Sequence, residues 1–152
     1  MSATLYFEDF APGQIFHAGP YHVTKDEILE FAREFDPQPH HLDEEAAKHS
    51  LLGGLAASGW HVSSIAMRMF SDAVLARAAA MGAPGVEDCR WMRPVRPGDD
   101  LRLEVEIVET RASKSRPELG FVKLHWRLYN QREQVAFFIS SPMFARRNAH
   151  VV

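Results

Sequence analysis

The sequence is poor in cysteine, with Cys89 the single one among 152 residues. One cysteine cannot form a disulfide within the chain, which excludes a small secreted domain held together by disulfides. No recognisable motif surrounds Cys89 to suggest a nucleophile. We expect it to be a small core residue on a strand.

Long apolar runs and an excess of positive charge are also missing. No stretch approaches the roughly 20 apolar residues of a membrane-spanning helix, and residues 1–8 lack the basic region and apolar run of a signal peptide. We therefore expect a cytoplasmic protein with no membrane partner. The formal net charge of -3 provides no basic field to attract nucleic acid, so no such partner is expected.

The composition is that of an ordinary globular domain. Hydrophobic residues make up 46% of the chain and charged residues 24%, and this length can bury a sizeable core. No internal repeat, low-complexity segment or linker divides the sequence. It predicts a single domain over residues 1–152.

Helical patterns occupy the first half. The capping-box pattern from Thr24 to Glu27 precedes apolar residues at helical spacing, which predicts a helix over 25–35. Prolines then break the pattern, and a short helix is predicted over 43–48. Residues 60–80 contain neither proline nor glycine and are rich in alanine and methionine, which predicts one long, mostly buried helix.

Alternating patterns typical of half-buried strands dominate the second half. Strands are predicted over 14–23, 101–107, 121–128 and 135–145. Asn130 to Glu133 would form a hairpin connection, and Pro142 suggests an edge position or a bulge. A long apolar helix beside an antiparallel sheet that buries it predicts an α+β fold.

The segment from Asp36 to His41 is the most informative for chemistry. It places a carboxylate and an imidazole five residues apart on a loop stiffened by Pro37 and Pro39. A stiff loop can hold catalytic groups in place, and this pair can give and take protons near neutral pH. From the spacing alone, the more common explanation is that Asp36 simply ends a helix beside surface histidines.

Ser58 and Gly59 open the long predicted helix. The first N–H groups of a helix have no intrahelical partner and favour negative charge, and glycine allows close approach of a ligand oxygen. Such an arrangement could stabilise the oxygen of a thioester enolate. The alternative is an ordinary helix start capped by Ser58.

Three stretches together resemble the MaoC-like dehydratase family, which includes the R-specific enoyl-CoA hydratases. The first, over 36–47, is similar to the hydratase motif Asp-x-Asn-Pro-x-His, followed by five residues and then Ala or Ser. The other two are 53–61 and 90–99, and the resemblance extends over about 5–147. It implies a hot-dog fold, in which a curved antiparallel sheet wraps around a long central helix.

The resemblance also implies a reaction. Asp36 and His41 would add water across the double bond of a 2-enoyl-CoA, and the N–H of Gly59 would hold the thioester oxygen. The family further implies a homodimer with the acyl-CoA site at the dimer interface. No cofactor is implied, since coenzyme A belongs to the substrate. The other residues of the expected substrate site are Ser58, Gln38 and Gly54.

The chain departs from the hydratase pattern at three positions. Gln38 replaces the usual Asn and is one methylene longer, so its amide could reach a different partner. His40 stands where an apolar residue is common. Met67 aligns with a serine that hydratases often carry in the central helix.

The sequence leaves three other functions to compare with hydration. A hot-dog thioesterase would need a carboxylate on or near the central helix, where Asp72 is the single candidate. A non-catalytic acyl-thioester binder would keep the fold without the reaction. A metal site is not expected, because no tight pairing of ligands occurs among His40, His41, Asp43, Glu44, His49 and His61.

A group of basic residues could meet the phosphates of coenzyme A. Its members are Arg90, Arg93, Arg96, Lys114 and Arg116. Solvated surface positions would explain the same residues equally well. Trp91 and Trp126 are expected in the core or at a dimer interface.

Overall fold

A computed structural model describes residues 4–147 of the chain. Four α-helices, six strands and two short 3-10 helices occupy this range. The helices are α1 (Lys25–Phe35), α2 (Pro39–Leu42), α3 (Glu44–Lys48) and α4 (Gly59–Ala73). The strands are β1 (Ile15–His22), β2 (Val86–Trp91), β3 (Asp100–Ala112), β4 (Leu119–Tyr129), β5 (Gln134–Ser140) and β6 (Met143–Ala145). The 3-10 helices span Phe7–Asp9 and Leu75–Arg77.

All six strands join one antiparallel sheet in the order β1-β3-β4-β5-β2, with β6 also paired to β4. The buried face of α4 packs against this sheet, and Phe70 meets Trp126 with ring centroids 4.8 Å apart. The inward positions of β3 alternate as predicted, since all four apolar residues from Leu101 to Ile107 are buried. The α+β hot-dog architecture is therefore confirmed. The extent of the single domain, 1–152, stays a prediction. In the part of the chain that the structure describes, no helix has the length and apolar character to cross a membrane.

The central helix is shorter than predicted. It ends at Ala73 and not at residue 80, because Val74 leaves the helical region with φ -133° and ψ -55°. After a 3-10 turn, the alanines from Ala78 pair with other backbone: the N–H of Ala79 donates to Leu5, and the N–H of Ala145 donates to Ala79. Long-range backbone pairing here overrides the high helix propensity of alanine.

The predicted strand over 135–145 is interrupted. Strands β5 and β6 keep one register against β4, since Ser140 faces Leu124 and Met143 faces Phe121. Pro142 lies in the gap between them, where its missing N–H removes one possible ladder hydrogen bond. The expected irregularity at Pro142 is confirmed, and the continuous strand was wrong.

The proline-containing loop includes a helical turn that the sequence analysis missed. Pro39 occupies the first position of α2, where its missing N–H costs no helical hydrogen bond. Asp43 then caps α3 by accepting from the N–H groups of Glu45 and Ala46. Cys89 lies on β2 as expected and is partly buried against the core.

A polar contact within the core joins α1 to α4. His61 is 7% exposed, stacks on Phe31 with ring centroids 4.8 Å apart, and places Nε2 3.4 Å from Oε1 of Glu27. The same carboxylate accepts from the hydroxyl of Tyr21, while the hydroxyl of Thr24 accepts the Glu27 N–H and so caps α1 as predicted. The contact therefore links the first turn of α1 to the first turn of α4.

Burial lowers the pKa of His61 below its usual 6.5, although the Glu27 carboxylate opposes the shift. As pH falls below this usual value, the unfolded chain binds a proton that the folded chain resists, so stability falls. We expect the free energy of unfolding to decrease between pH 7.5 and pH 5 by more in the wild type than in His61→Gln. Urea unfolding at both pH values measures this, with exposed His49→Gln as the matched control. Equal pH dependence in the wild type and in His61→Gln would contradict the assignment.

The start of α4 lies against β2. A Cβ atom added to Gly59 would lie 2.3 Å from the Trp91 ring. The Trp91 indole is held there by its N–H, which donates to the Ser63 hydroxyl at 3.0 Å, and by an edge-to-face contact with Trp60 at 5.0 Å. Only glycine fits beneath this ring.

Gly59→Ala should therefore lower the free energy of unfolding by about 1–3 kcal/mol in the wild type, because the ring must move. In a Trp91→Ala background the same change should be neutral or slightly stabilising, since alanine orders the backbone at lower cost. Urea unfolding of the four proteins at one concentration tests this cycle. If Gly59→Ala costs the same in both backgrounds, the Trp91 contact is not the cause.

Candidate active site

Asp36 occupies the C-terminal end of α1. Its backbone leaves the helical region with φ -149° and ψ 68°, as the following proline favours, while its N–H still donates to Ala32 at 3.0 Å. The side chain is thereby turned from the helix surface into the space between α1, α2 and the start of α4. The local sequence thus positions the carboxylate as the proline pattern predicted.

His41 is held from two sides. It lies in α2 and is 6% exposed. Its Nδ1 lies 2.7 Å from the carbonyl oxygen of Ala56. A carbonyl can only accept, so Nδ1 carries a proton and Nε2 is directed to Asp36, 3.4 Å from Oδ2. The structure brings the predicted pair together.

Gln38 contacts Asp36 directly. Its side-chain amide donates to Oδ1 at 2.6 Å, so the two carboxylate oxygens face different partners. Burial raises the pKa of Asp36, but the Gln38 hydrogen bond, Ser58 and the charges of His41 and His40 outweigh it, and the net pKa is lowered. Asp36 is therefore a carboxylate at neutral pH.

Ser58 and Gly59 lie where the sequence placed them, at the start of α4. Ser58 is the N-cap residue, but its side chain makes no capping hydrogen bond. Its fully buried hydroxyl faces the Asp36 carboxylate and contributes to lowering the pKa, without meeting the distance and angle of a hydrogen bond. Gly59 begins the helix and lines the cavity described next.

The Asp36 and His41 side chains open into a cavity of about 420 Å³. Gly59, Trp60 and Trp91 form part of its wall, together with Gln38 and His40. The Trp91 ring is 43% exposed and lies on this wall, so it is not a core residue, and its expected place at a dimer interface stays a prediction.

Gly54 has a different position from the one expected. It is not among the residues lining this cavity, and it backs onto the guanidinium of Arg96. We therefore leave it out of the substrate site proposed below. Its small size serves the approach of that side chain.

Arg96 has a structural role that the sequence analysis missed. Its guanidinium donates to the carbonyl oxygens of Leu52 and Leu55, and the N–H of Ala57 donates to Val95 at 2.9 Å. These bonds hold the loop that carries the Ala56 carbonyl. Arg96 is thus occupied by backbone oxygens, and the phosphate role considered for it is not supported.

The other basic residues of that group are dispersed. Arg116 pairs with Glu118 in the β3–β4 connection, where Lys114 also lies, and Arg90 pairs with Asp88 on β2. Arg93 alone among the five lines the cavity. The group does not form one phosphate site.

A second, apolar cavity of about 280 Å³ lies beside α4. It shares Trp60 with the first cavity and is lined further by Met67, Phe70 and Cys89. Met67, which aligns with the family serine, therefore lies outside the Asp36 and His41 cavity. An apolar chain that reached this space would lose contact with water.

In the described residues, no cluster of side chains supports the metal site or the thioesterase site. Within residues 4–147, no group of three or more His, Cys, Asp or Glu side chains is placed to hold a metal ion. The predicted lack of a metal site stays a prediction. Asp72 is exposed and paired with Arg68 at 2.9 Å, and it lines neither of the two cavities.

Three features of the site had little or no signal in the local sequence patterns. A backbone carbonyl such as that of Ala56 carries no sequence signal. The Gln38 contact had a partial signal, since the longer side chain at a motif position suggested a different partner. The place of Trp91 beneath the helix start required the β2–β5 pairing.

Comparisons with known proteins agree on the family that the chain is similar to. A family model described as MaoC like domain matches residues 9–124. The MaoC-like dehydratase from Rhodospirillum rubrum is 43% identical over 94% of this chain and 98% of that chain, with a TM-score of 0.88. The uncharacterized protein YdeM of Bacillus subtilis (strain 168) is 31% identical over 130 residues, 86% of this chain and 91% of YdeM.

The (R)-hydratase from A. caviae involved in PHA biosynthesis is 19% identical, with a TM-score of 0.70 over 91% of this chain and 99% of that chain. That likeness shows the fold alone. Since the family model spans well over half of the residues, the chain belongs to the MaoC-like dehydratase family of hot-dog proteins.

Proposed function

We propose that this protein adds water to a 2-enoyl-CoA thioester and removes it from the corresponding 3-hydroxyacyl-CoA. The observation that carries the proposal is the meeting of Asp36 and His41, 3.4 Å apart, in a cavity that also contains the start of α4 at Gly59. A base, an acid and an oxyanion site are the three parts that this reaction needs.

In the proposed hydration, the Asp36 carboxylate takes a proton from water as the oxygen bonds to C3 of the substrate. The C2–C3 double bond opens, and its electrons move toward the thioester oxygen. His41, protonated on both ring nitrogens, then gives its Nε2 proton to C2. Proton transfer from Asp36 to His41 restores the pair. Dehydration follows the same steps in reverse.

Negative charge develops on the thioester oxygen during this step. The free N–H groups at the start of α4, where Gly59 lines the cavity, suit that charge. The neighbouring apolar cavity, reached past Trp60, suits the acyl chain. Water addition transfers no electrons overall, so the reaction needs no redox cofactor, and coenzyme A enters with the substrate.

The thioesterase alternative lacks a carboxylate of its own. Asp72, the acid on the central helix, is exposed and paired with Arg68 away from both cavities. A non-catalytic binder would have no use for a carboxylate held ionised beside an oriented imidazole. These observations favour hydration. The cytoplasmic location expected from the sequence is also part of the proposal.

Hydration of crotonyl-CoA, followed as loss of enoyl-thioester absorbance, tests the proposal. Asp36→Asn and His41→Ala should each lower kcat/KM by at least about 100-fold, because each removes a proton-transfer group. Asp72→Asn, which changes a carboxylate on the exposed side of α4, should leave kcat/KM within about twofold. Circular dichroism confirms that the variants are folded.

The outcomes separate the alternatives. If wild type hydrates no short, medium or branched enoyl-CoA, the hydratase proposal fails. Release of free thiol from saturated acyl-CoAs would then establish a thioesterase, and binding without turnover would establish a binder.

We also propose a homodimer formed through β2. This strand is an edge of the sheet, and it leaves Val86 62% exposed beside exposed Trp91 and Met92. Unpaired edges with apolar side chains favour pairing with a second strand. Pairing there would cover the rim of the cavity, since Trp91 and Met92 both line it.

Val86→Glu should weaken this dimer, because each partner would bring a negative charge to an edge that is apolar in the wild type. Ile15→Glu is the matched control, since Ile15 is an exposed apolar residue on β1, the opposite edge. Sedimentation velocity over a range of concentrations should show a dimer for wild type and Ile15→Glu, and monomer for Val86→Glu at low concentration. A wild-type monomer, or dissociation by Ile15→Glu alone, would exclude this interface.

A further inference from the structure

Gln38 contacts both members of the Asp36 and His41 pair. Its backbone N–H donates to the Asp36 carbonyl at 2.8 Å, and its side-chain amide returns to Oδ1 of the same residue at 2.6 Å. The carbonyl of Gln38 in turn accepts the N–H of His41 at 2.9 Å. Gln38 therefore lies between the two members of the pair and bonds to both.

The side-chain bond has a fixed direction. A carboxylate accepts and does not donate, so the amide nitrogen, and not its oxygen, must face Asp36. A donor on a carboxylate oxygen stabilises the ionised form over the protonated form. The bond occupies Oδ1 and so leaves Oδ2 toward His41.

The polar groups around Asp36 also stabilise its ionised form. His41 and His40 of α2 and the Ser58 hydroxyl at the start of α4 all favour the carboxylate, while burial favours the protonated acid. Arg93 lies across the same cavity. Gln38 lies closer to Asp36, at 2.6 Å, than His41 does at 3.4 Å, and its amide is a neutral group that no change of pH removes.

We infer that Gln38 is a positioning residue that holds Asp36 as the proton acceptor, with Oδ2 directed to His41, so that the proton donor must be His41. The catalytic role inferred for Gln38 rests on the proposed hydratase function. The hydrogen bond, and its effect on the charge of Asp36, do not depend on that function.

The pH dependence of kcat/KM for crotonyl-CoA tests the role. Its acid limb reports protonation of the base in the free enzyme. Gln38→Leu removes the donor at similar volume and should move the acid limb upward by about one pH unit. Gln38→Glu should move it further, because two carboxylates so close must share a proton.

The matched control is Gln131→Leu. Gln131 donates to Oδ1 of Asp99 at 3.0 Å, which is the same pair of groups outside the cavity. Its loss should leave the acid limb where wild type has it. Gln38→Asn should resemble Gln38→Leu if the extra methylene is needed.

A second measurement keeps this test separate from the hydratase proposal. Carboxyl-carbon NMR of protein labelled in aspartate follows the titration of Asp36 directly, assigned through Asp36→Asn. The Asp36 titration should move upward in Gln38→Leu whether or not the protein turns over any substrate. An unchanged titration and acid limb, with at most a uniform loss of rate, would overturn the role of Gln38. A shifted titration in a protein without hydratase activity would overturn the proposed function alone.

Discussion

The hydrogen bond from His41 Nδ1 to the carbonyl of Ala56 joins the two segments on which the site depends. One segment is the helical turn α2, and the other is the loop that leads into α4. The bond fixes which ring nitrogen carries a proton and directs the other to Asp36. Without it, the imidazole could rotate and the pair would have no defined geometry.

That carbonyl is itself held by contacts from the opposite side. Arg96 donates to two carbonyl oxygens just before Ala56, and Val95 pairs with Ala57 just after it. Asp99 accepts the N–H of Arg96 and so fixes the turn that presents it. The His41 imidazole is thus positioned by backbone, and that backbone is positioned by a guanidinium that does not line the cavity.

Charge in the site is arranged around one carboxylate. The neighbours of Asp36 outweigh the cost of its burial, and the adjacent start of α4 favours negative charge as well. The same helix start would also suit the thioester oxygen that becomes negative in the proposed reaction. The apolar space beyond Trp60 contributes no charge, so the polar and apolar parts of a thioester would meet different walls.

The sequence by itself determined the elements that follow local rules. The capped helix α1, the break at Asp36, the alternation of β3 and the fold class all come from periodicity and from the geometry of proline and glycine. The family motif likewise brought Asp36 and His41 forward as a pair. Only the tertiary structure decided that α4 ends at Ala73, where distant backbone pairs with the alanines that follow. It also decided that Gln38 bonds to Asp36 and that Arg96 serves the loop and not a phosphate. These features depend on which polar atom lies nearest after the chain has folded, and no local pattern contains that distance.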